Sequence, residues 1–291
     1  QPRSRGLGDV YKRQVINKTA SYAGDGGLQQ VFAGVGFKVL DNLSIGANIS
    51  YIYGDITHSV TTAFSNSSSF SSVRLDKISI NDYKLDFGLQ YSYKFNKKHV
   101  LNFGAVYSLG HSVNGKGYKY NQKWLNGADY PSTQTGDTIT NAFSLPHTFG
   151  AGLTYVYDNR LTIGADFTYQ QWEDAKFYNE KSYFSNRTKI AAGAEFVPNP
   201  YSRNYLKRVR YRVGGYYSDP YTKVDGQDGT REYGVSAGFG FPLFQSKSIL
   251  NISGQYVRVS PKVKGMLEEN YLKINIGLTF NERWFMKWKV D

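Results

Sequence analysis

Apolar or aromatic residues recur at every second position in about eleven short runs along this chain, with Gly, Ser, Asn or a charged residue between them. In the clearest run, Leu43, Ile45, Ala47, Ile49, Tyr51 and Tyr53 share one parity, and Ser44, Gly46, Asn48 and Ser50 the other. Successive side chains of a β-strand point to opposite sides, so such a run writes one greasy face and one wet, small-residue face. The greasy face requires a non-aqueous neighbour.

The runs predict eleven strands: residues 28–39, 43–61, 76–95, 99–120, 149–157, 161–169, 190–196, 209–217, 233–243, 250–256 and 272–280. Their connections alternate in length. Tight ones follow the odd strands, as at Leu40-Asp41-Asn42, Asn96-Lys97-Lys98 and Asp158-Asn159, with a somewhat longer one from Pro198 to Leu206. Long polar ones follow the even strands, at about 63–73, 121–142, 173–186, 218–231 and 260–269. Transmembrane barrels show this asymmetry, with short periplasmic turns and longer extracellular loops. A soluble sandwich has no reason to obey it.

Composition agrees with a membrane barrel and excludes membrane helices. The chain has 291 residues, its mean hydropathy is −0.49, and no run approaches the roughly 18 apolar residues of a spanning helix. Thirty Gly, 25 Tyr and 18 Phe against two Met fit a polar lumen with aromatic rims better than a soluble core. Zero Cys removes disulfides and thiolate metal sites. The fold class is thus all-β, an antiparallel transmembrane β-barrel in the bacterial outer membrane.

Residues 1–14 stand apart. Asp9-Val10-Tyr11-Lys12-Arg13-Gln14 reads as the in-frame translation of a sequencing-library transposon end, with Gln1 to Gly8 as further read-through, and is excluded from fold reasoning. Arg3, Arg5, Lys12 and Arg13 against Asp9 then account for +3 of the formal +12. Single-chain bacterial barrels have even strand numbers, so eleven strands beginning outside imply an odd number upstream, with the signal peptide. The expectation is that 15–291 is an N-terminally truncated barrel.

Charges of inward parity are the first candidate chemistry. Lys84, Asp86, Asp166, Glu195, Arg210, Arg212 and Lys273 would line the lumen, with Glu195 close enough to Arg210 and Arg212 to pair across a hairpin. They either form a structural network or line a permeation path. Tyr91, Tyr93, Tyr155, Tyr157, Trp284 and Trp288 are candidate interfacial anchors beside Lys and Arg clusters at the periplasmic ends. That placement explains the basic balance without nucleic acid. His58-Ser59 and His111-Ser112 are adjacent in sequence and face opposite ways in a strand, so a catalytic couple is not expected. No cofactor or metal is expected either.

Gly24-Asp25-Gly26-Gly27-Leu28-Gln29-Gln30-Val31, Asp41-Asn42-Leu43-Ser44-Ile45-Gly46, Tyr51-Ile52-Tyr53-Gly54 and the ending Asn270 to Val290 resemble FadL/TodX-type outer-membrane transport proteins, a divergent branch. The resemblance implies a barrel of about fourteen strands, an N-terminal hatch and passage of long-chain fatty acids or other hydrophobic compounds. Ligand capture between extracellular loops would fall to Tyr118, Tyr120, Trp124, Leu125 and Tyr130, because the loop at 63–73 is serine-rich where a capture groove is apolar. Expected partners are outer-membrane lipid and lipopolysaccharide, a hydrophobic ligand and the barrel-assembly machinery. A diffusion porin, or a structural or assembly barrel docking other envelope proteins, are the alternative readings.

Overall fold

The computed structural model describes residues 18–64, 70–125, 133–178, 180–224, 226–243, 248–261 and 268–280. Seven of its strands precede the first interior excursion or follow from it: β1 (Lys18–Leu40), β2 (Leu43–Phe64), β3 (Phe70–Lys94), β4 (His99–Ser108), β5 (His111–Val113), β6 (Gly115–Leu125) and β7 (Thr133–Thr140). Then come β8 (Phe143–Leu145), β9 (Thr148–Tyr157), β10 (Leu161–Gln170), β11 (Arg187–Phe196), β12 (Arg210–Ser218), β13 (Lys223–Val224) and β14 (Gln227–Asp228). β15 (Thr230–Pro242), β16 (Ile249–Pro261) and β17 (Glu269–Thr279) complete the strands of the described residues. The barrel wall runs β1-β2-β3-β4-β9-β10-β11-β12-β15-β16-β17, every neighbouring pair antiparallel. These eleven are the strands that the alternation predicts.

Parity survives from strand to strand. One outward row reads Phe37, Ile45, Leu89, Ala105, Ala151, Phe167, Ile190, Tyr217 and Tyr233 in unbroken register. The facing lumen row reads Gly36, Gly46, Gly88, Val106, Gly150 and Thr168. Ile45, Phe103 and Ile163 sit in mid-wall yet are 45%, 42% and 47% exposed. A band of exposed apolar side chains this continuous needs lipid as its solvent.

Strand lengths divide the wall into two heights. β4, β9, β10 and β11 have 10 residues each, enough for a tilted crossing of the bilayer. β1, β2 and β3 have 23, 22 and 25, which at about 3.3 Å per residue is more than twice that span. Their far halves, with β6 and β7, form a blade that projects beyond the wall on the side of the long connections. β3 serves both levels, holding β4 through Asp86–Lys94 and β6 through Phe70–Ile80.

The predicted fourth strand, 99–120, is therefore two strands and an excursion. A Cβ on Gly110 would lie 2.3 Å from His147 N and 2.6 Å from Pro146 C, so this approach of two chain segments is open to glycine. The chain leaves the wall there, pairs β5 with β8 and rejoins β3 at Gly115 opposite Ile80. Much of the loop expected at 121–142 is likewise ordered as the end of β6 and as β7. β2 and β3 extend to Phe64 and from Phe70, narrowing the loop expected at 63–73.

The excursion builds a small core on the lumen side. Ile52, Ile78 and Ile80 have inward parity but are buried, packed with Val113, Ala142 and Tyr178 and flanked by Ile139, Phe143, Leu145 and Phe177. Against it packs the loop between β10 and β11, with Trp172 tilted against Phe184 (5.2 Å), Tyr221 (5.1 Å) and Phe143 (6.3 Å).

Candidate lumen and its extracellular cap

The lumen wall is made of small residues so that a few long polar ones can lie flat across it. Glu195 on β11 faces Arg212 on β12 in the ladder. Arg212 Nε donates to Glu195 Oε2 at 2.6 Å, and Arg210 Nη1 to Oε1 at 2.8 Å. Arg212 Nη1 then reaches Asn251 Oδ1 on β16 at 2.7 Å, and Asn251 Nδ2 donates to Thr279 Oγ1 at 3.3 Å. Charge-assisted bonds of this kind are stronger than neutral ones. β15 presents Gly238 and Gly240 to the lumen there: a Cβ on Gly240 would meet Arg210 Cβ at 3.1 Å and Asn251 Oδ1 at 3.3 Å.

The same device recurs around the wall. Asp166 lies over Gly152, whose Cβ would stand 2.4 Å from Asp166 Oδ1. The Tyr216 ring covers Gly234, and its hydroxyl donates to Glu232. Lys84 pairs with Asp86 at 2.6 Å, and Ser108 donates to the same carboxylate. Lys273 stands opposite Gln255 with its ammonium 5.8 Å from the Tyr271 ring centroid.

One space, about 500 Å³, is bordered by Ser44, Gln90, Asn102, Thr154 and Asp166, with Gly36, Gly46, Gly88, Gly104 and Gly152 between them and Ile45, Leu89, Phe103, Ala105 and Val106 completing its border. Another, about 320 Å³, is bordered by Arg212, Ser236, Asn251, Ser253, Gln255 and Asn275. The apolar concavity, about 620 Å³, is bordered mainly by the outward-parity Val35, Phe37, Ile45, Ala47, Phe87, Leu89, Ala105, Tyr107 and Phe149.

The candidate capture residues do not share one face. Tyr118, Tyr120 and Trp124 lie on the outer side of the blade, opposite Lys77, Leu75 and Ser71, and the two tyrosine rings stack at 6.3 Å. Leu125 pairs with Phe70 and has the other parity. Tyr130 lies outside the described residues, as do Trp284 and Trp288. The remaining candidate anchors gather at the short-turn rim of β3, β4 and β9. Tyr155 Oη and His99 Nδ1 are 2.6 Å apart, Tyr157 lies 4.9 Å from the His99 ring, and Tyr93 and Tyr91 occupy the adjoining strand. The adapter reading of 1–14 also falls outside the described residues.

The cap was not visible in the alternation. Tyr178 sits beneath Lys119, whose ammonium is 4.6 Å from the ring centroid, and its hydroxyl is buried without a partner among the described residues. Burial, with a smaller contribution from the Asp76 carboxylate, pushes that hydroxyl up to about 12. His111 Nε2 is 3.4 Å from Asp82 Oδ2 and its ring stacks on Tyr83, while Ser112 pairs with Ser144. The signals available in sequence were the isoleucines at 52, 78 and 80, which break the wet parity.

An alternating wall, a lipid-facing apolar band and a polar lumen define an outer-membrane β-barrel of the FadL fold class. The chain itself belongs to the BamG family, whose profile matches residues 8–291. Among solved structures it is similar to a Pseudomonas aeruginosa FadL homologue, at 17% identity and a TM-score of 0.52, covering 82% of this chain and 61% of that one. The Ralstonia pickettii toluene transporter TbuX matches at 13% identity and 0.54, covering 81% and 64%. The P. putida toluene transporter TodX matches at 16% and 0.52, covering 88% and 69%. The chain thus spans under two thirds of the length of the first two. No curated protein matches it.

Proposed function

We propose that this barrel is an accessory of the outer-membrane protein assembly machinery, a docking scaffold more than a conduit. The observation that carries the reading is the distribution of polarity: the side chains of lumen parity are mainly glycine, amide, hydroxyl and charge, one end is packed by Ile52, Ile78, Ile80, Val113 and Tyr178, and apolar surface faces outward. A site for a hydrophobic solute is built the other way, with apolar walls and a few polar groups. The family name carries the prefix of the barrel-assembly machinery, which supports the same reading. Depletion of the protein is expected to lower the level of many unrelated outer-membrane barrels, and affinity purification from cross-linked membranes to recover the central assembly barrel. Unchanged barrel levels on depletion, with no such co-purification, would reject it.

A second reading is supported by the shared fold and by Tyr118, Tyr120 and Trp124 on the blade: uptake of hydrophobic compounds, as the relatives named toluene transporters suggest. On that reading, deletion slows uptake of radiolabelled toluene or oleate while barrel assembly proceeds normally. The lumen charges Lys84, Asp86, Asp166, Glu195, Arg210, Arg212 and Lys273 then line the path. On the assembly reading they hold the wall rigid. Outer-membrane lipid and lipopolysaccharide are its surroundings on either reading.

A further inference from the structure

We infer that the periplasmic turn between β11 and β12 is a docking knob for a protein whose binding surface is acidic around an apolar pocket. The inference deepens the assembly reading, on which it rests for the kind of partner involved.

The wall does not need this turn. Asp158, Asn159 and Arg160 suffice to reverse the chain between β9 and β10, and Asp41 and Asn42 between β1 and β2. Between β11 and β12 the ladder ends at Phe196 opposite Tyr211, and residues 197–209 leave the sheet. That excursion is nonetheless built. Asn199 N donates to Lys207 O at 2.8 Å, closing its neck, and Asn204 Oδ1 accepts from Leu206 N at 3.0 Å to cap a single 3₁₀ turn. Tyr205 Oη donates to Pro242 O, fastening the turn beneath β15, and Tyr211 Oη donates to Leu206 O. Val197 and Val209 are 5% and 1% exposed at its base.

What this frame holds out is apolar and cationic. Tyr201 is 95% exposed and Leu206 65%. From Phe196 to Ser218 there are five cations, Arg203, Lys207, Arg208, Arg210 and Arg212, and no carboxylate. Glu195 takes Arg210 and Arg212, whereas Arg203 and Lys207 have no ion pair among the described residues. The neighbouring Arg160 is engaged by Asp158 at 3.7 Å. Exposed tyrosine and arginine on a preorganised frame are the residue types that anchor protein interfaces, because they lose little further entropy on binding. A cationic rim selects a carboxylate-bearing partner and speeds its approach. The competing occupant, anionic lipid headgroup, would be served by any snorkelling Lys or Arg and makes no use of a closed neck, a capped turn and a tyrosine at the tip.

The test is a photo-crosslinking amino acid at Tyr201 in the full-length protein in its own outer membrane. The expected result is one protein adduct, identified by mass spectrometry. It falls at least tenfold in an R203E/K207E variant that still shows the heat-modifiable mobility of a folded barrel, and returns when a crosslinked acid of the partner is changed to Lys. A lipid adduct alone, no adduct, or an adduct indifferent to charge reversal overturns the inference. A charge-dependent partner outside the assembly machinery would retain the knob and reject the assembly reading. Co-purification with the machinery that survives R203E/K207E, with no adduct at Tyr201, would do the reverse.

Discussion

Arg212 binds Asn251 across a whole intervening strand, Nη1 to Oδ1 at 2.7 Å, although β15 runs between them. Two strand spacings are about 9.5 Å, so the guanidinium must lie flat on the wall, and beside its partner Gly240 leaves free the space in which a Cβ would stand 3.3 Å from Asn251 Oδ1.

Closing that corridor is expected to destabilise the barrel. Gly240→Leu forces Arg210 and Asn251 apart and should cost about 1–3 kcal/mol, the range for overpacking a filled site. Gly277→Ala, where an added Cβ meets nothing within 4 Å, should be near neutral. Urea unfolding in detergent micelles, followed by tryptophan fluorescence, separates the two.

Removing the anion leaves two guanidinium groups facing each other. Glu195→Gln should destabilise by roughly 1 kcal/mol, below the 3–5 kcal/mol of a fully buried pair, because Glu195 is 25% exposed and the lumen is wet. The effect should shrink in the Glu195→Gln/Arg212→Met double variant, read in the same unfolding assay.

Alkaline pH should loosen the cap before the wall. The unfolded chain releases a tyrosine proton near 10, and the folded cap holds that of Tyr178 up to about 12. Stability from the neutral hydroxyl is fully present below pH 10 and is lost as pH rises through 12, because the unfolded state binds fewer protons there. Limited proteolysis of the 171–186 loop across pH 9–12 checks this. Tyr178→Phe should flatten the dependence and be neutral or stabilising near pH 7, since it deletes a buried hydroxyl without a partner.

Adjacent positions of β9 should respond oppositely to the same substitution. Leu153 faces lipid and is 46% exposed, while Thr154 has lumen parity. Leu153→Arg should cost about 2–4 kcal/mol, the value for a cation on the lipid face near the midplane. Thr154→Arg should remain within about 1 kcal/mol. Folding titrations into lipid vesicles give both values.

The alternation was sufficient for the eleven wall strands because lipid on one side and water on the other impose the same parity on every crossing. It misled at the top of β4. Leu109, His111 and Val113 continue the odd-position pattern past Gly110, and what ends the strand is the approach of Pro146 and His147, more than thirty residues on. Glu195 with Arg212 was legible because hairpin neighbours face each other. Arg212 with Asn251 was not, because that contact depends on the side chain missing at a third position. The Tyr178 cap was equally hidden, since a loop carries no period from which to read its partners.

β1, β2 and β3 run unbroken from the periplasmic turns to the top of the projecting blade, and β3 is laced to β4 below and β6 above. They act as a stiff mast stepped in the hull. Continuous hydrogen-bonded backbone therefore ties the tip of the blade to the rim at the short turns, and a load on one end would be felt at the other.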